Sequence, residues 1–149
     1  MDFSIRPATK NDLPEVLALV KELALYEKAP EEVTITLSEL EADGFGKNPL
    51  YWIILAENEN GIMGMSFYYI RYSTWKGKCL YLEDIVVKEE FRGNSVGKVL
   101  FEATIKAAKE MNAKLMNWQV LDWNEPALNF YKKFSAEMDG EWLNGKLRL

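Results

Sequence analysis

Two stretches of this chain hold residue types that could do chemistry together. The first is LYLEDIVVKEEFRGNSVGK, Leu80 to Lys98. An apolar, strand-like segment carrying Glu83 and Asp84 runs into Arg92-Gly93, a small-residue turn, Gly97 and an amphipathic helix. A strand that ends in a tight turn and opens a helix leaves backbone N–H groups unpaired, with the positive end of the helix dipole behind them. That is a seat for a phosphate or pyrophosphate. The two carboxylates just upstream could hold a cation or accept a proton. The turn is not a P-loop, because it lacks the Gly-Lys-Ser/Thr ending, and it follows a β-meander rather than opening a first strand–helix unit as a dinucleotide fingerprint does. The second stretch is Asp122 to Lys133. Asn124 is a good helix cap, Pro126 fits the first turn, and Tyr131 lies about two turns further on. On spacing alone Tyr131 is either a core tyrosine with its hydroxyl at the edge or an acid–base group.

Histidine is absent from all 149 residues. This removes Ser-His-Asp and Cys-His nucleophilic machinery, His-ligated zinc and any histidine base. Proton chemistry must therefore use carboxylates, tyrosine, lysine or water, and no metal site is expected. A solitary Cys79 precludes an intrachain disulfide and fits a reducing compartment. The net charge of −5 disfavours nucleic acid and mildly favours cationic partners such as amines. No apolar run approaches the roughly 20 residues that span a bilayer, and the first residues lack the pattern of a secretory signal. A cytoplasmic, soluble protein is expected, with neither nucleic acid nor membrane as partner.

The elements that must position these residues follow from pattern. Phe3–Pro7 reads as a strand. Asn11 or Asp12 caps a helix with Pro14 in its first turn and Leu13, Val16, Leu17, Val20, Leu23 and Ala24 on one face. Tyr26–Glu32 is a polar break. Thr36 and Glu39 have capping-box spacing for a second helix ended by Gly44 or Gly46. Tyr51–Glu57 and Ile62–Tyr72 pair as a hairpin about a turn at Asn58–Gly61, and Cys79–Val87 follows as a third strand. A helix over Gly97–Met111 shows Val99 or Leu100, Ala103, Ala107 and Met111 on one face. Lys114–Leu121 is a strand, Glu125–Phe134 a helix, and Glu141–Leu149 a hairpin about Asn144-Gly145. Hairpins first and crossovers later predict an α/β (α+β) chain of one domain, 1–149. Its sheet is mixed and mostly antiparallel, with helices on both faces.

Arg92-Gly93 with Gly97, and Trp123-Asn124-Glu125-Pro126 with Asn129-Phe130-Tyr131, resemble the two signature regions of the GNAT superfamily of acetyl-CoA-dependent N-acetyltransferases. IRPAT (Ile5–Thr9), KELALYE (Lys21–Glu27), DGFG (Asp43–Gly46) and LYLED (Leu80–Asp84) extend the likeness to the spermidine/spermine N1-acetyltransferase (diamine acetyltransferase) group, over the chain up to about Ala136. The resemblance implies a GNAT fold, acetyl-CoA as cofactor and a homodimer. It implies that Ile85, Val86 and Val87 offer backbone groups to the pantetheine arm. Arg92, Gly93, Asn94, Ser95, Val96, Gly97 and Lys98 would hold the pyrophosphate, and Asn124, Glu125, Pro126 and Ala127 would line the other side. Tyr131 would be the general acid beside the sulfur and Glu83 the general base. Tyr26, Glu27, Glu83, Asp84, Asn117 and, by looser alignment, Glu141 would contact the amine.

The implied reaction is acetyl transfer to a primary amine of a small polyamine or diamine, by direct attack in a ternary complex. Thialysine-like amino acids or a protein amine are the alternatives, and a non-catalytic acyl-CoA-binding module is the rival from another class. A covalent route through Cys79 is disfavoured, because no histidine can activate the thiol. The chain departs from the family pattern at Ser95 and Ser135, where glycine is usual, and at Asn117, where a polyamine-type enzyme can have histidine.

Overall fold

The structure is a computed structural model that describes residues 2–149. The chain forms two compact units, Met1–Trp118 and Gln119–Leu149.

The first unit is built on a five-stranded sheet in the order β1 (Ser4–Pro7), β2 (Trp52–Asn58), β3 (Gly61–Ser73), β4 (Gly77–Val87) and β5 (Leu115–Asn117). All neighbours are antiparallel except β4 and β5, which run parallel. Three helices complete the unit: α1 (Leu13–Tyr26), α2 (Leu37–Phe45) and α3 (Val96–Glu110). Period-two alternation in β2 decides how the layers stack. Ile53 and Leu55 join Leu13, Val16, Leu19 and Leu40 of α1 and α2 in one core. Ile54 and Ala56 turn to the other side and meet Val96 and Leu100 of α3. Helices therefore cover both faces of a mixed sheet, as the pattern predicts.

Asp12 stands at the N-cap of α1 with Pro14 in the first turn, yet its carboxylate makes no cap bond to the helix. It accepts bonds of 2.8 and 3.0 Å from the Arg6 guanidinium and 2.7 Å from the Thr9 N–H, while Arg6 also grips Glu57 on β2. The guanidinium holds the Asp12 carboxyl well below the usual carboxylate range. One arginine thus ties β1, β2 and the entry to α1 together. The Thr36 hydroxyl caps α2 by accepting the Glu39 N–H at 3.1 Å. Gly44 does not end α2; the helix runs to Phe45, with Gly46 as its cap. Gly44 is required because the Tyr51 ring fills the place a Cβ would take, and the Tyr51 hydroxyl donates to the Leu40 carbonyl.

Three expectations need correction. The buried face of α3 is Val96, Leu100, Phe101, Thr104 and Ala108, so Val99, Ala103, Ala107 and Met111 only flank it. Thr104 looks polar in sequence, but its hydroxyl bonds the buried Ser66 of β3 at 2.6 Å and the Leu100 carbonyl at 2.8 Å. β5 is confined to Leu115–Asn117 rather than reaching Leu121. The segment after Ala136 forms no hairpin. Its Asn144 Oδ1 instead accepts a 2.6 Å bond from Gln119 Nε2 within the second unit. A lone two-stranded hairpin is marginal in water even with a favourable Asn-Gly turn.

The second unit contains α4 (Glu125–Lys132), which starts where predicted. Asn124 caps it by accepting the Ala127 N–H at 3.3 Å, and Pro126 occupies the first turn.

Candidate active site

Three features of β4 converge near its C-terminal half. The first is a break in register. Asp84 lies opposite Phe67 and Leu82 opposite Tyr68, so Glu83 is an extra residue without a partner on β3. Such a bulge bends the strand and re-aims a side chain. No local sequence signal marks it, because it exists only in the pairing of β3 with β4. The second is the loss of a neighbour. β5 pairs with β4 only from Cys79 to Tyr81, so Leu82–Val87 has β3 on one side and no paired strand on the other. The third is the turn beyond the strand, which feeds the N-terminus of the 15-residue α3.

The bulge brings acidic groups together. Glu83 is solvent-accessible yet crowded by protein, which raises its carboxyl above the ordinary glutamate value. Asp84 is half-buried. Burial first, then the charges of Glu83 and of Glu27, push its carboxyl up to about 7. Glu27, at the C-terminal cap of α1, is itself raised by burial. Glu83 and Glu27 therefore both act on Asp84, which spacing alone could not reveal for Glu27.

Aromatic and polar residues continue the surface. Tyr69 of β3 faces Tyr81 of β4 with ring centroids 5.1 Å apart, and Tyr81 is in register with Asn117 of β5. Cross-strand partners share a face, so Tyr69, Tyr81 and Asn117 form one row. The Asn117 Oδ1 is buried and has no hydrogen-bond partner. A buried unpaired acceptor costs about 1–3 kcal/mol, and it faces the same surface as the tyrosines. Tyr69 and Tyr81 are aromatic members of this surface that the sequence reading did not single out; their period-two spacing from Phe67 and Glu83 was the available signal.

The turn before α3 fits an anionic ligand in its backbone. Gly93 has φ +78° and no heavy atom near the place of a Cβ. Ser95 has φ 63° and ψ 12°, the left-handed conformation, and its hydroxyl caps nothing. The Asn94 side chain pins the turn through bonds of 3.2 Å to the Phe91 and Arg92 carbonyls. Val96, Gly97 and Lys98 open α3, where the first N–H groups have no intrahelical acceptor. Successive N–H groups in such a turn form an anion-binding nest. Arg92 adds a cation; its Nε bonds the Val87 carbonyl at 3.2 Å and its guanidinium lies 5.7 Å from the Tyr26 ring centre. Arg92 thereby links the turn to the end of α1 and to Tyr26, beside Glu27.

A left-handed serine costs on the order of 1–2 kcal/mol relative to glycine in the folded state, partly offset by the greater freedom glycine has when unfolded. Ser95→Gly is therefore expected to stabilise the protein by roughly 0.5–1 kcal/mol. Urea unfolding of both forms at neutral pH checks this, and a loss of stability would mean that the serine hydroxyl earns its place by a bond elsewhere.

Asn124, Glu125, Pro126, Ala127, Tyr131 and Glu141 belong to the second unit. Tyr131 is buried on α4 with its ring 5.4 Å from that of Phe130 in an edge-on arrangement. Ser135 follows α4 with φ 58°, the second serine in a left-handed position. Glu141 is exposed, with its N–H bonded to Asp139 at 3.0 Å. Among the described residues no helix is long and apolar enough to cross a membrane.

Thialysine N-epsilon-acetyltransferase from Bos taurus is 38% identical over 141 residues, spanning 89% of this chain and 83% of that protein. Spermidine/spermine N(1)-acetyltransferase-like protein 1 from Homo sapiens is 35% identical over 141 residues, which cover 90% of this chain but 20% of that longer protein. Among solved structures, an aminoglycoside acetyltransferase from an uncultured soil metagenomic sample superposes with a TM-score of 0.81, covering 98% of this chain and 97% of that one, and at 20% identity it shows the shared fold. The family model described as acetyltransferase (GNAT) family matches residues 15–135, which takes in most of α1, the β2–β4 meander, the turn into α3 and all of α4. The chain belongs to the GNAT acetyltransferase family.

Proposed function

We propose that the protein transfers the acetyl group of acetyl-CoA to a terminal primary amine of a small, cationic molecule, either a diamine or polyamine or the side-chain amine of a thialysine-like amino acid. The observation that carries this reading is the β4 bulge. It sets Glu83 next to Asp84, whose carboxyl also feels the charge of Glu27, at the point where the strand loses its β5 partner and leads into the turn before α3. When bound, acetyl-CoA supplies an acetyl group activated as a thioester.

The residues of the chain suit that ligand. The open edge of Ile85, Val86 and Val87 offers alternate N–H and C=O groups to an extended amide-bearing arm, as a sheet edge does to an added strand. Gly93 to Lys98 take the pyrophosphate on backbone N–H groups, with Arg92 contributing charge. Asn124 to Ala127, the capped start of α4, are assigned to the same ligand by family resemblance.

The acidic cluster handles the acceptor. An alkylammonium with a pKa near 10 is about one part in a thousand neutral at pH 7, a penalty of roughly 4 kcal/mol on the nucleophile. Glu27 and Asp84 attract the cation, and Glu83 accepts the proton its nitrogen must lose. Tyr131 is assigned the phenol proton that the departing sulfur takes up. A new N–C bond replaces the C–S bond, and no acyl-enzyme is needed. Cys79 is buried, with its thiol donating to the Gly77 carbonyl at 3.4 Å, which leaves it a poor nucleophile.

Steady-state kinetics test this directly. With acetyl-CoA and an amine varied together, intersecting initial-rate patterns are expected, and Cys79→Ala should retain activity. Parallel patterns with loss of activity in Cys79→Ala would replace direct attack with a covalent route.

A further inference from the structure

We infer that Arg71 binds a carboxylate on the acceptor, so that the preferred substrate is a diamino acid lying along the Tyr69–Tyr81 pair with its side-chain amine toward Glu83. This rests on the acetyl-transfer reading above and narrows its substrate class.

The placement follows from register. Arg71 is opposite Cys79, two residues along β3 from Tyr69, and Tyr69 is opposite Tyr81. Residues two apart on a strand share a face. Arg71 therefore projects on the same side as the tyrosine pair and Asn117, while Glu83 lies at the other end of the row, on the bulge. Between the Cys79 row and Glu83 the backbone advances about 13 Å at ~3.3 Å per residue. The long arginine stem shortens that gap toward the extent of an outstretched diamino acid. The tyrosine rings, 5.1 Å apart, give the intervening methylenes an apolar floor.

The electrostatics agree. After burial, which dominates, both phenols are pushed up by Glu83 and pulled down by Arg71, so the pair sits within reach of one charge of each sign. The charges that act along this strip are Glu83 and Asp84 at one end, with Glu27 acting on Asp84, and Arg71 at the other, with the two phenols between. Arg71 is exposed and has no ion pair or hydrogen bond among the described residues, whereas Arg6 binds Asp12 and Glu57 and Arg92 binds Val87. A guanidinium with no internal partner, aligned with a polar strip that ends in carboxylates, suits a ligand with an ammonium at one end and a carboxylate at the other. Guanidinium and carboxylate match in planar, two-bond geometry. The same charge repels the distal ammonium of a diamine, so it selects against that class as well as for the amino acid.

The experiment compares matched acceptors that differ only in the carboxylate: lysine against cadaverine, ornithine against putrescine, and lysine against lysinamide. With wild-type protein and acetyl-CoA, kcat/KM is expected to favour the free amino acid in each pair. Arg71→Gln should lower kcat/KM for the amino acids by about 10- to 100-fold, mainly through KM, as fits loss of a charged hydrogen bond. It should leave the diamines unchanged or improved. Arg71→Lys should restore part of the preference. A wild-type preference for diamines, or an Arg71→Gln change that is equal for both members of a pair, would overturn the inference. The wild-type lysine-to-lysinamide ratio tests it without any variant. Acetylation of diamines alone would remove only this inference, whereas no turnover with any amine would remove the acetyl-transfer reading itself.

Discussion

Replacing Glu83 with glutamine is expected to lower kcat/KM for the acceptor amine by about 10²–10⁴-fold, the range for loss of a positioned general base. The substitution keeps the size of the side chain and its place on the bulge, so the loss reports proton acceptance rather than shape. The pH profile carries a second signature. In the wild type, activity should fall on the acid side as the raised carboxyls of Glu83 and Asp84 protonate. Glu83 is one of the charges that push Asp84 up to about 7. Neutral glutamine removes that push, so the remaining acid limb should move to lower pH. The two groups interact, and the profile reports the pair rather than either residue alone. Unchanged kcat/KM in Glu83→Gln across the pH range would remove Glu83 from the chemistry.

The second large effect is on stability, at the neighbouring residue. The carboxyl of Asp84 is raised in the folded state to about 7, above its value in the unfolded chain. Between the unfolded value near 3.9 and about 7, the folded state therefore holds a proton that the unfolded state has lost, and stability falls as pH rises through this window. Above it the protein carries a penalty on the order of a few kcal/mol for a crowded, ionised carboxylate. Asp84→Asn removes the charge at nearly constant volume. The variant should be more stable than wild type at pH 8.5 and should lose most of that advantage at pH 5. Urea unfolding at the two pH values measures the difference. An advantage that is equal at both, or reversed, would show that Asp84 is not held under electrostatic strain. Stability lost to a cluster of carboxylates is what a site that must attract a cation would carry.

Local chemistry carried most of the fold into the sequence. Asp12 with Pro14, Thr36 with Glu39, the Asn58–Gly61 turn and Asn124 with Pro126 each mark an element boundary through bonds within a few residues, and the structure has an element at each. The rest depends on which partner a side chain or turn finds once the chain has folded. Thr104 reads as polar in sequence, and its place in the core depends on Ser66 of another element, which bonds its hydroxyl. Asp12 stands at the N-cap of α1 as expected, but its carboxylate is turned back to Arg6 and Thr9 instead of bonding the helix. Asn144-Gly145 carries a strong turn signal but has no sheet to join.

The site divides in the same way. Glu83, Asp84 and the Arg92–Lys98 turn could be proposed from one short segment, whereas the bulge that singles out Glu83 depends on register with β3. The joining of Glu27 to Asp84 depends on where α1 ends. In sequence Arg71 is an ordinary strand arginine with a solvated side chain; only its row, shared with Tyr69 and Tyr81, gives it a role.

The most direct test of acetyl transfer to a small amine is a product balance. Purified protein is incubated with acetyl-CoA and a panel of diamines, polyamines and diamino acids, while free thiol and acetylated amine are quantified together. The account predicts that one thiol is released for each amine acetylated, well above the rate without enzyme. Thiol release no greater than the enzyme-free background with every amine, despite acetyl-CoA binding, would contradict it.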